Sequence, residues 1–427
     1  MAMSRAYLSC IDSACGRVFP LASPQFACES CGSLLDVAYE FESVEPAALR
    51  ELWRERLGSE DPRDQSGVWR FRELLPFLVP TAVPVTLGEG DTPLVEAPRT
   101  GRWAGGVRIW AKHLGANPTG SFKDLGMTAC ISAAVANGAR VVTCASTGNT
   151  SSSMAAYAAR AGLAAVMFVP YQAIAAAKLA QAVEFGARVI EVRGSFDDAF
   201  RLLRAVAARS ALHLVNSTNP FRLEGQKTAV VELVEQRGWR APDFLALPGG
   251  NLGNVSAMGK GLRELVALGV VDRAPRLVVV QAEGAAPFYK HWKTGEPIQP
   301  VEHPETEASA IRIGSPANWP KARRELEWTN GMVESVSDGE IEQAKATLAS
   351  DGIGCEPASA ASVAGVRKLR EAGRIPAGAE VCVILTGHQL KDPDYILRRR
   401  ERFEAARVVI DPDEEAARRA LEAMLPA

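Results

Sequence analysis

The chain has 427 residues, 47% of them hydrophobic and 23% charged, with a formal net charge of -2. That is the balance of an ordinary globular protein long enough for two or three packed lobes. The near-neutral charge argues against nucleic acid or an anionic membrane as the main partner, and no stretch approaches the length of a transmembrane helix.

The start, Met1 to Cys10, holds no apolar run long enough for a signal peptide, so a cytoplasmic protein is expected. Cys28-Glu29-Ser30-Cys31-Gly32 is a zinc-knuckle half: two thiolates two residues apart, then a glycine for the turn. Its partner half is looser, with four residues between Cys10 and Cys15 and Gly16 following. A four-thiolate zinc site accommodates about two to four spacer residues; free cysteines in a small ordered hairpin are the rival reading. Neither is catalytic, because four thiolates close the coordination shell. Cys130, Cys144, Cys355 and Cys382 lie in apolar surroundings and read as buried small hydrophobes in a reducing compartment. After the cysteines comes a charged stretch punctuated by Pro and Gly up to residue 84, an arm or linker with short helices near 47–56 and 69–75.

From about Val107 onward, short β-branched runs alternate with longer Ala/Leu-rich ones. Strands are expected at 107–111, 140–144, 164–169, 188–192, 212–215, 244–247, 277–281 and 381–385. Helices are expected at 151–160, 173–185, 196–208, 226–237, 255–268 and 359–371. This alternation argues for an α/β fold of mainly parallel sheets with helices on both faces, as one large sheet or two lobes. Beyond Tyr395 the chain is Arg/Glu-rich, and the basic run 398–402 reads as a solvated face.

Chemistry concentrates in a few loops. In Asn117-Pro118-Thr119-Gly120-Ser121-Phe122-Lys123-Asp124, Ser121 is a good helix N-cap, and the run 125–136 reads as a helix. Lys123 then sits in the first turn, where the aligned peptide dipoles disfavour an ammonium. A neutral amine is what a lysine that bonds covalently to a carbonyl compound requires; an ordinary solvated lysine is the rival reading of this stretch alone. Ser146-Thr147-Gly148-Asn149-Thr150 follows a strand and opens a helix, a place for an anion or a polar ring substituent. Gly249-Gly250-Asn251-Leu252-Gly253-Asn254 repeats the arrangement with glycines that let backbone N–H groups converge. Lacking both the G-x-G-x-x-G spacing and a P-loop lysine, it suits a phosphate monoester better than a pyrophosphate. Asn216 to Gln226 offers amides, hydroxyls and the Arg222 guanidinium in a loop with the composition of an anion site. Thr386 ends a strand with one hydroxyl to share. A phosphate cradle, a loop for a polar ring and a neutral lysine together point to pyridoxal phosphate.

The sequence also resembles the threonine synthases, within the fold-type-II pyridoxal-phosphate enzymes. The likeness runs from Leu87-Gly88-Glu89-Gly90 and Thr92-Pro93-Leu94 to His388-Gln389-Leu390-Lys391-Asp392. It includes Asn219-Pro220-Phe221-Arg222-Leu223-Glu224-Gly225, Ile311-Arg312-Ile313-Gly314 and Cys355-Glu356-Pro357-Ala358-Ser359. Two positions depart from the family pattern: Leu125 stands in place of an arginine, and Gln389 in place of a glycine.

The resemblance implies a tryptophan-synthase-β-like fold of two open, mainly parallel sheets behind an N-terminal zinc-ribbon-like element. The expected division is 1–40 for the cysteine element, 41–84 for the arm, 85–123 with 221–405 for a large cofactor-binding domain, 124–220 for a small substrate domain, and 406–427 for a tail. Lys123 would carry the cofactor, Asn149 meet its ring hydroxyl, and Gly249, Gly250, Asn251, Leu252, Gly253 and Asn254 hold its phosphate. Thr386 would face the ring nitrogen; threonine is a weak acid partner, so the ring should not be held fully protonated. Ser146, Thr147 and Thr150 would meet the substrate carboxylate or phosphate, with Asn216 and Arg222 at its far phosphate. Cys10, Cys15, Cys28 and Cys31 would hold structural zinc. The implied reaction turns O-phosphohomoserine and water into threonine and phosphate, in a homodimer. The rivals are a paralogue acting on O-phosphoserine, serine or threonine, and a catalytically dead zinc-ribbon interaction protein. His113, His213, His291 and His303 have no motif context and read as structural or exposed.

Overall fold

The computed structural model describes residues 5–23, 25–79, 81–146, 148–171, 176–194, 196–207, 212–399 and 407–424. Thirteen strands form three sheets among them. The N-terminal sheet is antiparallel, with β1 (Arg5–Cys10) between β2 (Val18–Phe19) and β3 (Leu35–Glu40). A six-stranded sheet has the order β12-β11-β10-β13-β5-β4. Its strands are β4 (Leu94–Glu96), β5 (Arg108–His113), β10 (Phe244–Pro248), β11 (Arg276–Ala282), β12 (Met332–Val336) and β13 (Glu380–Leu385). All its pairings are parallel except that of edge strand β4. The third sheet, order β8-β7-β6-β9, is wholly parallel: β6 (Val141–Ala145), β7 (Ala164–Pro170), β8 (Arg188–Val192) and β9 (Leu212–Leu214).

The six-stranded sheet is buried on both faces, and its sequence shows why. Successive residues point to opposite faces of a strand. Leu245, Leu247, Leu277, Val279, Cys382 and Ile384 join one apolar core; Phe244, Ala246, Val278, Val280, Val381 and Val383 join another. The first core holds helices Lys123–Ala136, Phe221–Gln236 and Gly253–Ala267, the second Asp338–Ser350 and Pro357–Glu371. Continuous apolar strands are what a doubly covered parallel sheet requires.

The eight expected strands all form, with ends shifted by a residue or two. Strand β12 was not expected: Glu334 and Ser335 break its apolar run, yet both are buried. The helix expected at 226–237 begins five residues earlier, because Asn219 Oδ1 accepts the Phe221 N–H (3.0 Å) and Pro220 precedes the first turn. Arg222 therefore stands on a helix, not in a loop. Of the helices expected at 173–185 and 196–208, residues 173–175 and 208 lie outside the described residues.

The N-terminal sheet is tied to the helices of the larger body through β3. Lys321 Nζ donates to the Leu35 carbonyl and pairs with Asp36, both at 2.7 Å, and Arg324 adds a second pair to Asp36 at 2.8 Å. These cations hold the Asp36 carboxyl well below its usual range against the cost of burial. Tyr39 donates to Glu224 (2.7 Å) beside a buried cluster in which Lys227 pairs with Glu224 and Glu264, each at 2.6 Å. From Asp392 the chain forms a second compact unit, with helices Pro393–Leu397 and Glu414–Met424. The basic run expected at 398–402 lies outside the described residues from 400 onward.

Candidate active site

The lysine loop is stitched to the carboxyl end of β13. Phe122 N–H donates to the Thr386 carbonyl and His388 N–H to the Gly120 carbonyl, both at 2.9 Å. Gly120 takes a φ of +85°, which favours glycine. Helix Lys123–Ala136 has Phe122 at its N-cap position with no side-chain cap. Ser121 thus does not cap it as expected: its hydroxyl only receives the Lys123 N–H at 3.4 Å. Asp124 anchors this end, accepting from Thr119 N–H (2.7 Å), the Thr119 hydroxyl (2.6 Å) and the Ser153 hydroxyl (2.6 Å). Burial pushes Asp124 up to about 6, while those partners pull it back.

The Lys123 ammonium lies 3.8 Å from the centre of the Phe122 ring. Burial lowers it from 10.5 to about 7, the Arg222 charge adds to the effect, and Glu356 opposes it. The neutral amine therefore rests on desolvation and a neighbouring cation more than on the dipole invoked from sequence.

Asn149 opens its helix, which runs Asn149–Ala161 and so begins two residues before the expected 151. Its Nδ2 donates to Glu356 Oε2 at 3.0 Å, and the Thr386 hydroxyl donates to Glu356 Oε1 at 2.8 Å. Glu356 was given no role from sequence, though it is a carboxylate in an apolar run immediately before a helix-starting proline. Burial raises its carboxyl, and Asn149, Thr386, Lys123 and Lys391 draw it down again. Ser146 receives the Gly148 N–H at 3.4 Å, and Thr150 is half-buried in the first turn. Thr147 lies outside the described residues.

The glycine loop joins β10 to helix Gly253–Ala267, with Leu252 at a φ of +62°. A Cβ on Gly250 would stand 3.2 Å from the Ala310 carbonyl and from Ile311 Cα, so the loop lies close against its neighbour. The helix start leaves N–H groups without intrahelical partners. Asn254 is buried, and neither polar atom of its side chain has a hydrogen-bond partner. Asn251 is tied differently, donating to the Ser217 hydroxyl (2.6 Å) and accepting from Ala317 N–H (2.5 Å). That bond joins the glycine loop to the stretch leading to Arg222.

Arg222 is 2% exposed; its Nη1 donates to the Val215 carbonyl (2.9 Å), while Nε has no partner. Asn216 is committed to the Ala145 backbone, donating to its carbonyl and accepting its N–H, both at 3.1 Å. One amide N–H remains to it. The two departures from the family pattern fall outside this network: Leu125 is buried in the apolar core, where an aliphatic side chain fits, and Gln389 is exposed. His113 and His291 bond to the carbonyls of Gly354 and Glu296, His213 is lowered to about 4 by burial, and His303 is exposed.

At the other end of the chain the Cys10, Cys15, Cys28 and Cys31 sulfurs lie within 4.8 Å of one another. Gly16 and Gly32, at φ +58° and +73°, close the two turns that deliver them, so the wider Cys10/Cys15 spacing still converges on one point.

The sequence profile described as "Pyridoxal-phosphate dependent enzyme" matches residues 85–387. The threonine synthase of Methanosarcina acetivorans is 44% identical over 393 residues, 92% of this chain and 93% of that one. That of Methanocaldococcus jannaschii is 43% identical over 389 residues, 91% and 94% of the two chains. The crystal structure of threonine synthase from Escherichia coli superposes with a TM-score of 0.71 at 18% identity, covering 97% of this chain and 94% of that one. A lysine amine lowered to about 7, a glycine loop at a helix start and identity at this level over most of the chain agree: the chain belongs to the threonine synthase family of pyridoxal-phosphate dependent enzymes.

Proposed function

We propose that the chain converts O-phospho-L-homoserine and water to L-threonine and phosphate, with pyridoxal phosphate held between the glycine loop and Lys123. The observation that carries this reading is a pair of basic side chains: Lys123, half-buried and lowered to about 7, and Arg222, buried with an unpartnered Nε. The first suits a carbonyl partner, the second an anion. The site fits the cofactor on its own terms, because the unsatisfied amide of Asn254 beside a helix start is what a phosphate would complete.

In this reading Gly249 to Asn254 would hold the cofactor phosphate, Asn149 its ring hydroxyl and Thr386 its ring nitrogen, and Lys123 would be the lysine that carries it. When bound, the cofactor supplies the sink for charge developing at the substrate Cα. The protein must then move protons and exclude water. Displaced by the substrate amine, Lys123 Nζ, near 7, would take one proton from Cα and one from Cβ, and return one at Cγ and, at the end, the other at Cα. Arg222, with the remaining N–H of Asn216, would hold the phosphate that leaves Cγ, and Ser146 and Thr150 would meet the substrate carboxylate or phosphate. Water would add its hydroxyl at Cβ, and the proton it gives up would leave with the released phosphate. The four-stranded sheet frames the substrate side and the six-stranded sheet the cofactor side.

The four N-terminal thiolates would hold one structural zinc ion with no open position. A homodimer in the cytoplasm is the expected working form.

Phosphate release and amino-acid product measured across O-phosphohomoserine, O-phosphoserine, serine and threonine test the reading. Threonine formed from O-phosphohomoserine alone is the expected result. Turnover confined to O-phosphoserine, serine or threonine would overturn it.

A further inference from the structure

Glu356 is 3% exposed, and no step of the reaction above uses it. We propose that Glu356 is a positioning residue for the cofactor ring: one carboxylate holds Asn149 and Thr386 and fixes the Thr386 hydroxyl to present an oxygen lone pair, not its proton, toward the ring nitrogen. This rests on the reading that Asn149 and Thr386 meet the ring hydroxyl and ring nitrogen.

The argument is an account of protons. The Ser359 hydroxyl oxygen accepts the backbone N–H groups of Thr386 (2.8 Å) and Gly387 (3.2 Å). Both its lone pairs are then used, so its proton goes to Thr386 Oγ1 at 2.9 Å. Thr386 directs its own proton to Glu356 Oε1 at 2.8 Å. One lone pair is what Thr386 has left, so the ring nitrogen would bond to it only by carrying a proton, against the expectation from the weak acidity of threonine alone. Asn149 spends one N–H on Glu356 Oε2 (3.0 Å) and keeps the other.

The carboxylate cannot move away from this task. Its own backbone N–H donates to the Gly387 carbonyl at 3.0 Å. A Cβ on Gly387 would lie 2.5 Å from Glu356 Cδ, so that position admits glycine alone while the carboxylate stays. Burial raises its carboxyl, and Asn149, Thr386, Lys391 and, when protonated, Lys123 favour its charge.

Replacement by glutamine separates this role from packing. An amide cannot accept from both neighbours at once through different atoms: its nitrogen meets either Asn149, donor against donor, or Thr386. In the second arrangement glutamine donates to Thr386, and the freed hydroxyl proton turns toward the ring nitrogen. That nitrogen then accepts a bond and has less cause to carry a proton itself.

The test is the ring-nitrogen resonance of holoenzyme reconstituted with cofactor 15N-labelled at the pyridine nitrogen, together with the cofactor dissociation constant. Glu356→Gln is expected to move the resonance toward the bare-pyridine value relative to wild type and to weaken cofactor binding roughly tenfold, as for one lost charge-assisted hydrogen bond. An unchanged resonance in a folded variant overturns the proposal. Should Glu356→Gln fail to fold, Thr386→Val decides, because it removes the lone pair and is expected to shift the resonance in the same direction; no shift overturns the proposal equally. Wild type that takes up no cofactor would instead refute the underlying reading of the site.

Discussion

A Cβ on Gly225 would stand 1.7 Å from the carbonyl oxygen of Leu125. The helix bearing Arg222 therefore meets the helix bearing Lys123 backbone to backbone. One turn away the contact is returned: a Cβ on Gly126 would stand 2.7 Å from the Arg222 carbonyl. Two glycines thus fix how Lys123 and Arg222 stand to each other. The Leu125 side chain itself lies in the apolar core, where an aliphatic residue fits.

Gly225→Ala is expected to force these helices apart. Destabilisation of about 3 kcal/mol, at the upper end for overpacking, should appear in urea unfolding. KM for the phosphorylated substrate should rise with it as Arg222 loses its placement. A variant with wild-type stability would show that the helices separate at no cost, against the geometry.

Arg222→Ala removes a cation that both binds an anion and helps depress Lys123. KM should rise roughly tenfold to a hundredfold, the worth of about 1.5–3 kcal/mol for charge-assisted bonds, with cofactor affinity near wild type. The pH at which the Lys123 amine of the apo-protein becomes reactive toward an acylating reagent should move upward. Equal loss of substrate and cofactor binding would count against the role given to Arg222.

The strands and the glycine loop were legible because their signals are local: apolar runs of β-branched residues, and glycines at a strand-to-helix junction. Strand β12 was not, because Glu334 and Ser335 interrupt it and their burial is a tertiary fact. Helix Asp338–Ser350 carries a local signal in its sequence, the Ser337/Glu340 capping box. Ser121 was misread as a cap because Asp124, three residues on, does the work of tying the helix start. Glu356 was the larger omission. A buried carboxylate has no periodicity, and only the meeting of Asn149 and Thr386 across more than two hundred residues of chain reveals its place.

Cys28→Ser tests the N-terminal site. Bound zinc should fall from about one equivalent per chain, as a closed four-thiolate site binds, to near none, and the unfolding temperature should drop. The drop should reach the catalytic body, because β3 is joined to it through Asp36 with Lys321 and through Tyr39 with Glu224. Turnover by the folded fraction should stay at the wild-type rate. A lost chemical step with the fold intact would assign these cysteines a part in the reaction.

The depressed Lys123 amine makes stability depend on pH with a defined sign. Burial chiefly, and Arg222 next, hold it at about 7, against 10.5 for an ordinary lysine. Between those values the unfolded apo-protein binds a proton that the folded one does not, so stability rises with pH across that window. Below about pH 7 both states are protonated and the full penalty of a buried charge applies. Lys123→Met removes the charge and keeps a side chain of similar reach. At pH 6 the apo-variant should be more stable than wild-type apo-protein by about 2 kcal/mol, a figure reduced from the full shift because the amine is only half-buried. The margin should stay constant at lower pH, narrow as pH rises through 7, and vanish near 10.5. Urea unfolding at pH 6, 8 and 10 measures it. A margin that does not change with pH would mean that Lys123 titrates like an ordinary lysine, and the amine would not be available in its neutral form at physiological pH.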